Sequence, residues 1–473
     1  MQLQTPTDSA TPMHSKKLAN LLGKGLGLWY PSVHDSIKTA RLAVFTYEHV
    51  FEGSVVPAIQ AAVGMQEQLA GSLVDSIRGD QSYRDFARDT WQRLRSGARY
   101  SHLVGTLGKE LFGSAKLPGE KVIDADDRFR LVYIPPKDGQ VAGPPVFHAG
   151  GSIPYGDRIF RLLPEANFYE RFTERGLPVY AMEVRGDRYE VDYGKLTMDE
   201  HVENLERLID LAFRHAGRKL VLEGYCGHGM QLLPYLAAKP AHAEQTLCAV
   251  ALFVSPVHGP ACTMISSMPQ LTPKRAADLQ LWMWDKLSGY VWGDGVRLGL
   301  DLALKKNFIK TPFGYFHDGW SQSSFAAVKT VDDLDPLQRK MLAGAYWISA
   351  ENARRFAIPV DLVRYANAMF SQGLGRKGEL PVTYRGRELS LADFAKETTL
   401  PVFGFYGGTD PVILDRTGYP FVGLLGKRYH HVVHPYAGHI SYIFSPELWD
   451  PEGRKAFDPH PIDLLVEAAG DEH

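Results

Sequence analysis

From Leu117 onward, short wholly apolar runs alternate along the chain with longer amphipathic stretches. Phe129-Arg-Leu-Val-Tyr-Ile, stopped by Pro135-Pro136, reads as a strand, as do Pro145-Val-Phe-His and Leu177-Pro-Val-Tyr-Ala-Met-Glu-Val. Leu220-Val-Leu-Glu, Leu247-Cys-Ala-Val-Ala-Leu-Phe-Val and Pro401-Val-Phe-Gly-Phe-Tyr follow the same pattern. Helical periodicity runs from Glu165 to Arg175 and from Met198 to Ala216, between those strands. Strands that are apolar on both faces, separated by helices, predict an α/β fold: a mostly parallel sheet covered on both sides. Residues 117–256 and 399–455 are assigned to this core.

The alternation lapses over residues 257–398. That stretch reads mostly helical and holds five of the eight tryptophans, Trp282, Trp284, Trp292, Trp320 and Trp347. It is too apolar for a loop and is expected to form a cap over the C-terminal edge of the sheet, where open α/β sheets bind ligands. Residues 17–116 are helical by periodicity: Tyr83-Arg-Asp-Phe-Ala-Arg-Asp-Thr-Trp-Gln-Arg-Leu spaces its apolar residues three to five apart. Phe51 to Gly64 is apolar but broken by Gly and Pro, and suits packing or docking to something apolar. Residues 1–16 are polar and expected to be disordered, and residues 456–473 form a C-terminal tail.

Composition removes several classes. A formal net charge of −2 in 473 residues, with Lys and Arg scattered, leaves no nucleic-acid footprint. Three cysteines without CxxC spacing suit a reducing compartment, and no secretory signal opens the chain, so a cytoplasmic location is expected. No apolar window reaches the length of a transmembrane segment. No phosphate-binding glycine loop appears, and His430, His431 and His434 lack matching ligands, so no metal and no cofactor are expected.

Three strand ends carry candidate chemistry. In Val221-Leu-Glu-Gly-Tyr-Cys-Gly-His-Gly a strand runs into a glycine-flanked turn that presents Cys226, and a helix follows. This is the pattern of a nucleophile elbow, with a thiol as nucleophile and the Gly227 N–H aimed at a developing oxyanion. Most free cysteines are small buried hydrophobes, a description that fits Cys248 in its apolar strand. Cys262, at the start of the cap, is unassigned. Phe403-Gly-Phe-Tyr-Gly-Gly-Thr-Asp presents Asp410, and Val432-Val-His-Pro-Tyr-Ala-Gly-His presents His439. Nucleophile, acid and His in this order, each at a strand's C-terminal end, is the order of α/β-hydrolases. Cys226 is therefore expected as nucleophile, His439 as base and Asp410 as its orienting acid. Phe147-His-Ala-Gly-Gly-Ser suits the oxyanion loop, with Ala149 or Gly150 as second donor. Glu183-Val-Arg-Gly-Asp-Arg matches the loop after the fourth strand and needs no catalytic role.

These stretches resemble the polyhydroxyalkanoate synthase family. Gly224-Tyr-Cys-Gly-His-Gly is similar to its G-x-C-x-G-G box, Gly407-Gly-Thr-Asp to its G-x-x-D loop, and Ala437-Gly-His-Ile to its His loop. The resemblance covers roughly residues 120 to 450. It implies the α/β-hydrolase fold, catalytic roles for Cys226, Asp410 and His439, and an acyl intermediate drawn from a hydroxyacyl-CoA. It further implies transfer to a polyester hydroxyl, with an acyl-CoA or polyester substrate, a hydrophobic granule surface and a homodimer as partners. Two features depart from the family. His228 stands where the family has Gly, and Val184-Arg-Gly-Asp replaces its Trp-containing segment. The direction of chemistry stays open: intracellular polyester depolymerases and thioesterases use the same parts with water as acceptor. A non-catalytic granule-associated protein is the remaining alternative.

Overall fold

The computed structural model describes residues 33–151, 156–184, 191–354 and 356–470. Its centre is an eight-stranded sheet of β1 (Lys121–Ala125), β2 (Phe129–Ile134), β3 (Val146–His148), β4 (Val179–Val184), β5 (Leu220–Tyr225) and β6 (Leu247–Phe253), completed by two strands late in the chain. Between the two groups, β7 (Val291–Trp292) pairs with β8 (Ala357–Ile358), and β9 (Glu379–Tyr384) with β10 (Arg387–Ser390). The late strands are β11 (Val402–Gly407) and β12 (Tyr429–His434). The sheet order is β1-β2-β4-β3-β5-β6-β11-β12. β2 runs antiparallel to both its neighbours and all pairings from β4 to β12 are parallel.

Burial explains the apolar runs. Every residue of β5, β6 and β11 is buried, so these central strands cannot alternate polar and apolar positions. One large apolar cluster covers one face, from Val146 and Phe160 to Phe405 and Tyr442; a second covers the other, from Leu205 and Leu233 to Phe394 and Val402. The helix Met198–Ala216 shows how local signals set an element. Thr197 and Glu200 form a capping box at its start, and Gly217 ends it at φ 67°. With this sheet order and a strand-turn-helix after β5, the chain has the α/β-hydrolase fold.

The stretch expected to form the cap holds the helices Thr263–Leu271, Lys274–Leu287, Gly293–Ala303, Pro312–Ser321, Pro336–Trp347 and Val360–Ser371. The β9–β10 hairpin was not expected; its Tyr384 and Leu389 pack into the second cluster. The cap is also tied to the N-terminal helices. Gly97 and Gly319 let the helices Tyr83–Leu103 and Pro312–Ser321 touch: a Cβ on Gly97 would lie 2.8 Å from the Phe316 carbonyl oxygen, and one on Gly319 would lie 2.6 Å from Tyr100 Cβ. Arg99 donates to the carbonyls of Ala326 and Val328 at 2.7 and 2.6 Å, and buried Trp320 donates to Gln68 at 2.9 Å. The helices Val33–Val50 and Val56–Arg78 are less covered and expose Ile37, Val44, Tyr47, Ile59, Val63 and Ile77. Among the described residues no helix is long and apolar enough to cross a membrane. The expected disorder of residues 1–16, and Arg185 to Arg188 after β4, lie outside the described residues.

Two buried histidines tie the fold to pH. Burial holds His201 and His434 down to about 4, the latter helped by His460. Each stays neutral in the folded chain, whereas an unfolded His titrates near 6.5. Their stabilisation is complete above pH ~6.5 and is lost as pH falls toward 4, by up to about 3 kcal/mol each. Urea unfolding is expected to show a lower midpoint at pH 5 than at pH 7, with His434→Phe reducing the difference.

Candidate active site

The three expected residues converge at the C-terminal edge of the sheet. β5 delivers Cys226, which is the N-cap of the helix Gly227–Ala238 and adopts φ 49°, ψ −121°. Such a backbone is strained for a residue with a Cβ, and it is the conformation a nucleophile elbow demands. The glycines enforce it. A Cβ on Gly224 would lie 2.6 Å from Gly229 Cα, and one on Gly229 would lie 2.0 Å from Ser255 Oγ. The Cys226 N–H stays in the sheet, donating to the Phe253 carbonyl at 2.8 Å. Its side chain is half-buried at the margin of the first apolar cluster, which runs into cap residues Phe325, Val328, Leu334 and Leu342.

Asp410 lies three residues beyond β11 and His439 five beyond β12. His439 Nδ1 is 2.9 Å from Asp410 Oδ2, and the Cys226 sulfur is near enough to raise the ring's proton affinity. The Asp410 side chain has no exposure and His439 retains 18 %. The other Asp410 oxygen accepts the N–H groups of Val412 and Ile413 at 2.7 and 3.1 Å, so the carboxylate cannot swing away. Burial alone would depress His439. The facing Cys226 sulfur and the Asp410 carboxylate outweigh it and push the imidazole up to about 10. This is a Cys-His-Asp array in which the ring holds its proton at neutral pH.

The loops carrying acid and base are fastened to each other. The Thr409 N–H and hydroxyl both donate to the Ala437 carbonyl, at 3.0 and 2.8 Å, and the Gly408 N–H donates to the His434 carbonyl at 2.8 Å. From the elbow strand, Tyr225 donates its hydroxyl to the His439 carbonyl at 2.6 Å. Sequence reasoning did not find Tyr225, whose polar tip is hidden in an apolar strand. Cys262 is fully buried beneath the cap, and burial pushes its thiol up to about 12, so it stays a neutral thiol.

One expectation about the oxyanion loop is corrected. The Ala149 N–H donates to the Glu223 carbonyl at 3.0 Å, because the β3–β5 hydrogen-bond ladder runs one residue past β3. Gly151 gives its N–H to Asp157 Oδ1 at 3.0 Å. Gly150 sits between them where only glycine fits: a Cβ would lie 2.1 Å from the Met182 carbonyl oxygen. Gly227 occupies the first position of the elbow helix. His228 follows with helical backbone and 1 % exposure, its ring among His148, Phe160 and Asp157. Its side chain points away from the strand–helix pinch, which Gly229 preserves.

No protein-family model matches the chain, and no curated protein matches it. Solved structures similar to it include a monoglyceride lipase from Saccharomyces cerevisiae, 11% identical, covering 71% of this chain and 92% of that one at a TM-score of 0.44. A monoacylglycerol lipase from Paleococcus ferrophilus is 15% identical over 72% of this chain and 99% of that one, with a TM-score of 0.37. A carboxylesterase from Bacillus subtilis is 12% identical over 74% and 94%, with a TM-score of 0.36.

The raised His439 fixes a pH signature. Removing the Asp410 charge lowers the imidazole, so the proton that Asp410 and the Cys226 sulfur hold to about 10 is lost earlier. In Asp410→Asn, the alkaline limb of the pH–rate profile for acylation of Cys226 is expected to move down by at least one unit. Turnover at pH 7.5 is expected to fall at least ~100-fold through the lost orientation of the ring.

Proposed function

We propose that the protein is a cysteine-dependent acyltransferase of the polyhydroxyalkanoate synthase type. The observation that carries this reading is the His439 imidazole, 2.9 Å from the buried Asp410 carboxylate and raised by it and by the nearby Cys226 sulfur. Such a pair suits thioester donors. The Cys226 thiolate attacks the carbonyl carbon of a hydroxyacyl-CoA, forming a C–S bond and an oxyanion. The Gly227 and Gly150 N–H groups donate to that oxyanion. As the tetrahedral intermediate collapses, the C–S bond to CoA breaks and the leaving thiolate takes the proton from His439. The neutral ring then removes the proton from the hydroxyl of the growing ester, whose oxygen attacks the Cys-bound acyl carbon. An oxoester forms and the Cys226 thiolate leaves, regenerating the pair.

A thiol-to-thiol exchange is nearly isoenergetic, so the first half is readily reversible and the acceptor decides the outcome. The apolar cap beside Cys226 supports transfer over hydrolysis, because it disfavours bulk water at the acyl-enzyme. The apolar side chains exposed on the helices Val33–Val50 and Val56–Arg78 support docking to the hydrophobic polyester product.

The test is CoA release from 3-hydroxybutyryl-CoA with product analysis and fractionation. Wild type is expected to release CoA and form insoluble polyester, and Cys226→Ala to do neither. Free hydroxy acid as sole product would make the enzyme a hydrolase. No release, with the variant indistinguishable from wild type, would overturn the acyl-CoA reading. In the same tubes the wild-type chain is expected to sediment with polymer, and a variant carrying Asp at Ile59, Val63 and Ile77 to stay in the supernatant.

A further inference from the structure

Beneath the oxyanion loop lies a buried polar cluster that acyl transfer by Cys226, His439 and Asp410 does not use. On β3, His148 pairs in register with Glu223 on β5, and His148 Nδ1 contacts Glu223 Oε2. Both side chains are essentially without exposure. On the elbow helix, the His228 ring centre lies 5.9 Å from that of His148 and 5.8 Å from that of Phe160. His228 Nε2 lies 3.4 Å from Asp157 Oδ1.

Asp157 joins this cluster to the oxyanion loop. Its Oδ1 accepts the Gly151 N–H at 3.0 Å and its Oδ2 accepts the Val184 N–H at 3.1 Å, while its side chain keeps only 8 % exposure. The same carboxylate closes the space over Gly150, where a Cβ would lie 2.8 Å from Oδ2. One buried carboxylate thus touches the oxyanion loop, the end of β4 and the helix that begins at the nucleophile. Burial, with His148 and His201 nearby, keeps His228 neutral, with its Nε2 in contact with the Asp157 carboxyl.

We propose that His228 is a positioning residue for acyl transfer: through Asp157 it fixes the oxyanion loop against the elbow helix, so that the Gly150 and Gly227 N–H groups stay aimed at one point. The inference rests on the acyl-enzyme reading above. It gives a use to the residue at which the chain departs from the G-x-C-x-G-G box. Where a glycine would leave loop and helix unlinked on this side, His228 joins them.

The test separates two reactions of the same sulfur. Alkylation of Cys226 by iodoacetamide is displacement at a saturated carbon and forms no oxyanion. Acylation by a p-nitrophenyl ester or a short acyl thioester forms one. Both are read on intact protein by mass spectrometry, with thermal melting to confirm folding. In His228→Phe, alkylation is expected to stay within about twofold of wild type while acylation slows ~10–100-fold, as for a misplaced oxyanion donor. His228→Gln, which restores an N–H toward Asp157, is expected to recover most of the loss. Asp157→Asn replaces one acceptor oxygen by a donor facing backbone N–H, and is expected to give the same split should His228→Phe fail to fold. Equal loss of both reactions, or unchanged acylation in both variants, would overturn the proposal while leaving the acyl-enzyme intact. A wild-type protein whose Cys226 is alkylated but never acylated would overturn the acyl-enzyme reading and, with it, this one.

Discussion

The pinch between β5 and the helix Gly227–Ala238 is the constraint on which the site depends. Gly224 and Gly229 bring strand and helix so close that a Cβ on Gly224 would meet Gly229 Cα at 2.6 Å, while one on Gly229 would meet Ser255 beyond β6. The chain must then reverse within one residue, and Cys226 takes φ 49°, ψ −121°. A backbone of that kind costs on the order of 1–3 kcal/mol and survives only where its surroundings over-determine it. Here they do: the Cys226 N–H donates to the Phe253 carbonyl at 2.8 Å, and the Ser255 hydroxyl braces the pinch, its one hydrogen shared between the Gly224 and Phe253 carbonyls, each at 3.1 Å. The sulfur is held beyond the strand end, at the N-terminus of a helix whose dipole favours negative charge there.

The acid and base reach this fixed point through loops that would be mobile alone. Their mutual bonds, Thr409 to the Ala437 carbonyl and Gly408 to the His434 carbonyl, make them one unit. Tyr225 then attaches that unit to the elbow strand through the His439 carbonyl. A close approach forces the same economy elsewhere: Gly407 leaves no room for a Cβ, which would lie 2.4 Å from the Ala437 carbonyl oxygen. The donor–acceptor distance of 2.9 Å between His439 and Asp410 therefore follows from backbone packing, not from side-chain reach alone.

Much of this was legible in the chain, for identifiable reasons. Buried parallel strands read as unbroken apolar runs, so all of the sheet except the half-exposed β1 was visible. The elbow, acid and His loops were visible because glycines mark turns at strand ends. The oxyanion assignment failed at Ala149 because hydrogen-bond ladders end by geometry, and no residue type signals that a ladder runs one step further. The β9–β10 hairpin was hidden because its turn, Arg385-Gly386, carries Arg385 at positive φ instead of a residue that favours it. Asp157, Glu223 and His148 escaped notice because their partners are distant in sequence. Polar residues placed inside or beside apolar strands were the available signal.

The arrangement also bears on why a thiol suits this elbow. The Cys226 sulfur and the Asp410 carboxylate together push the His439 ring up to about 10, and a neutral serine hydroxyl in that place would remove the sulfur's share. With a thiol the same bias is useful: a protonated ring beside the sulfur is placed to protonate a departing thiolate. In the acyl transfer proposed above, the acceptor step would need the opposite state, a neutral ring able to take a proton, and the first step would produce it by giving the ring's proton to the leaving thiolate. The ring's affinity for a proton also falls once Cys226 is acylated, because the sulfur that raised it is then neutral. In that reading, acylation would convert His439 from an acid into a base, with the chemical state of Cys226 as the switch.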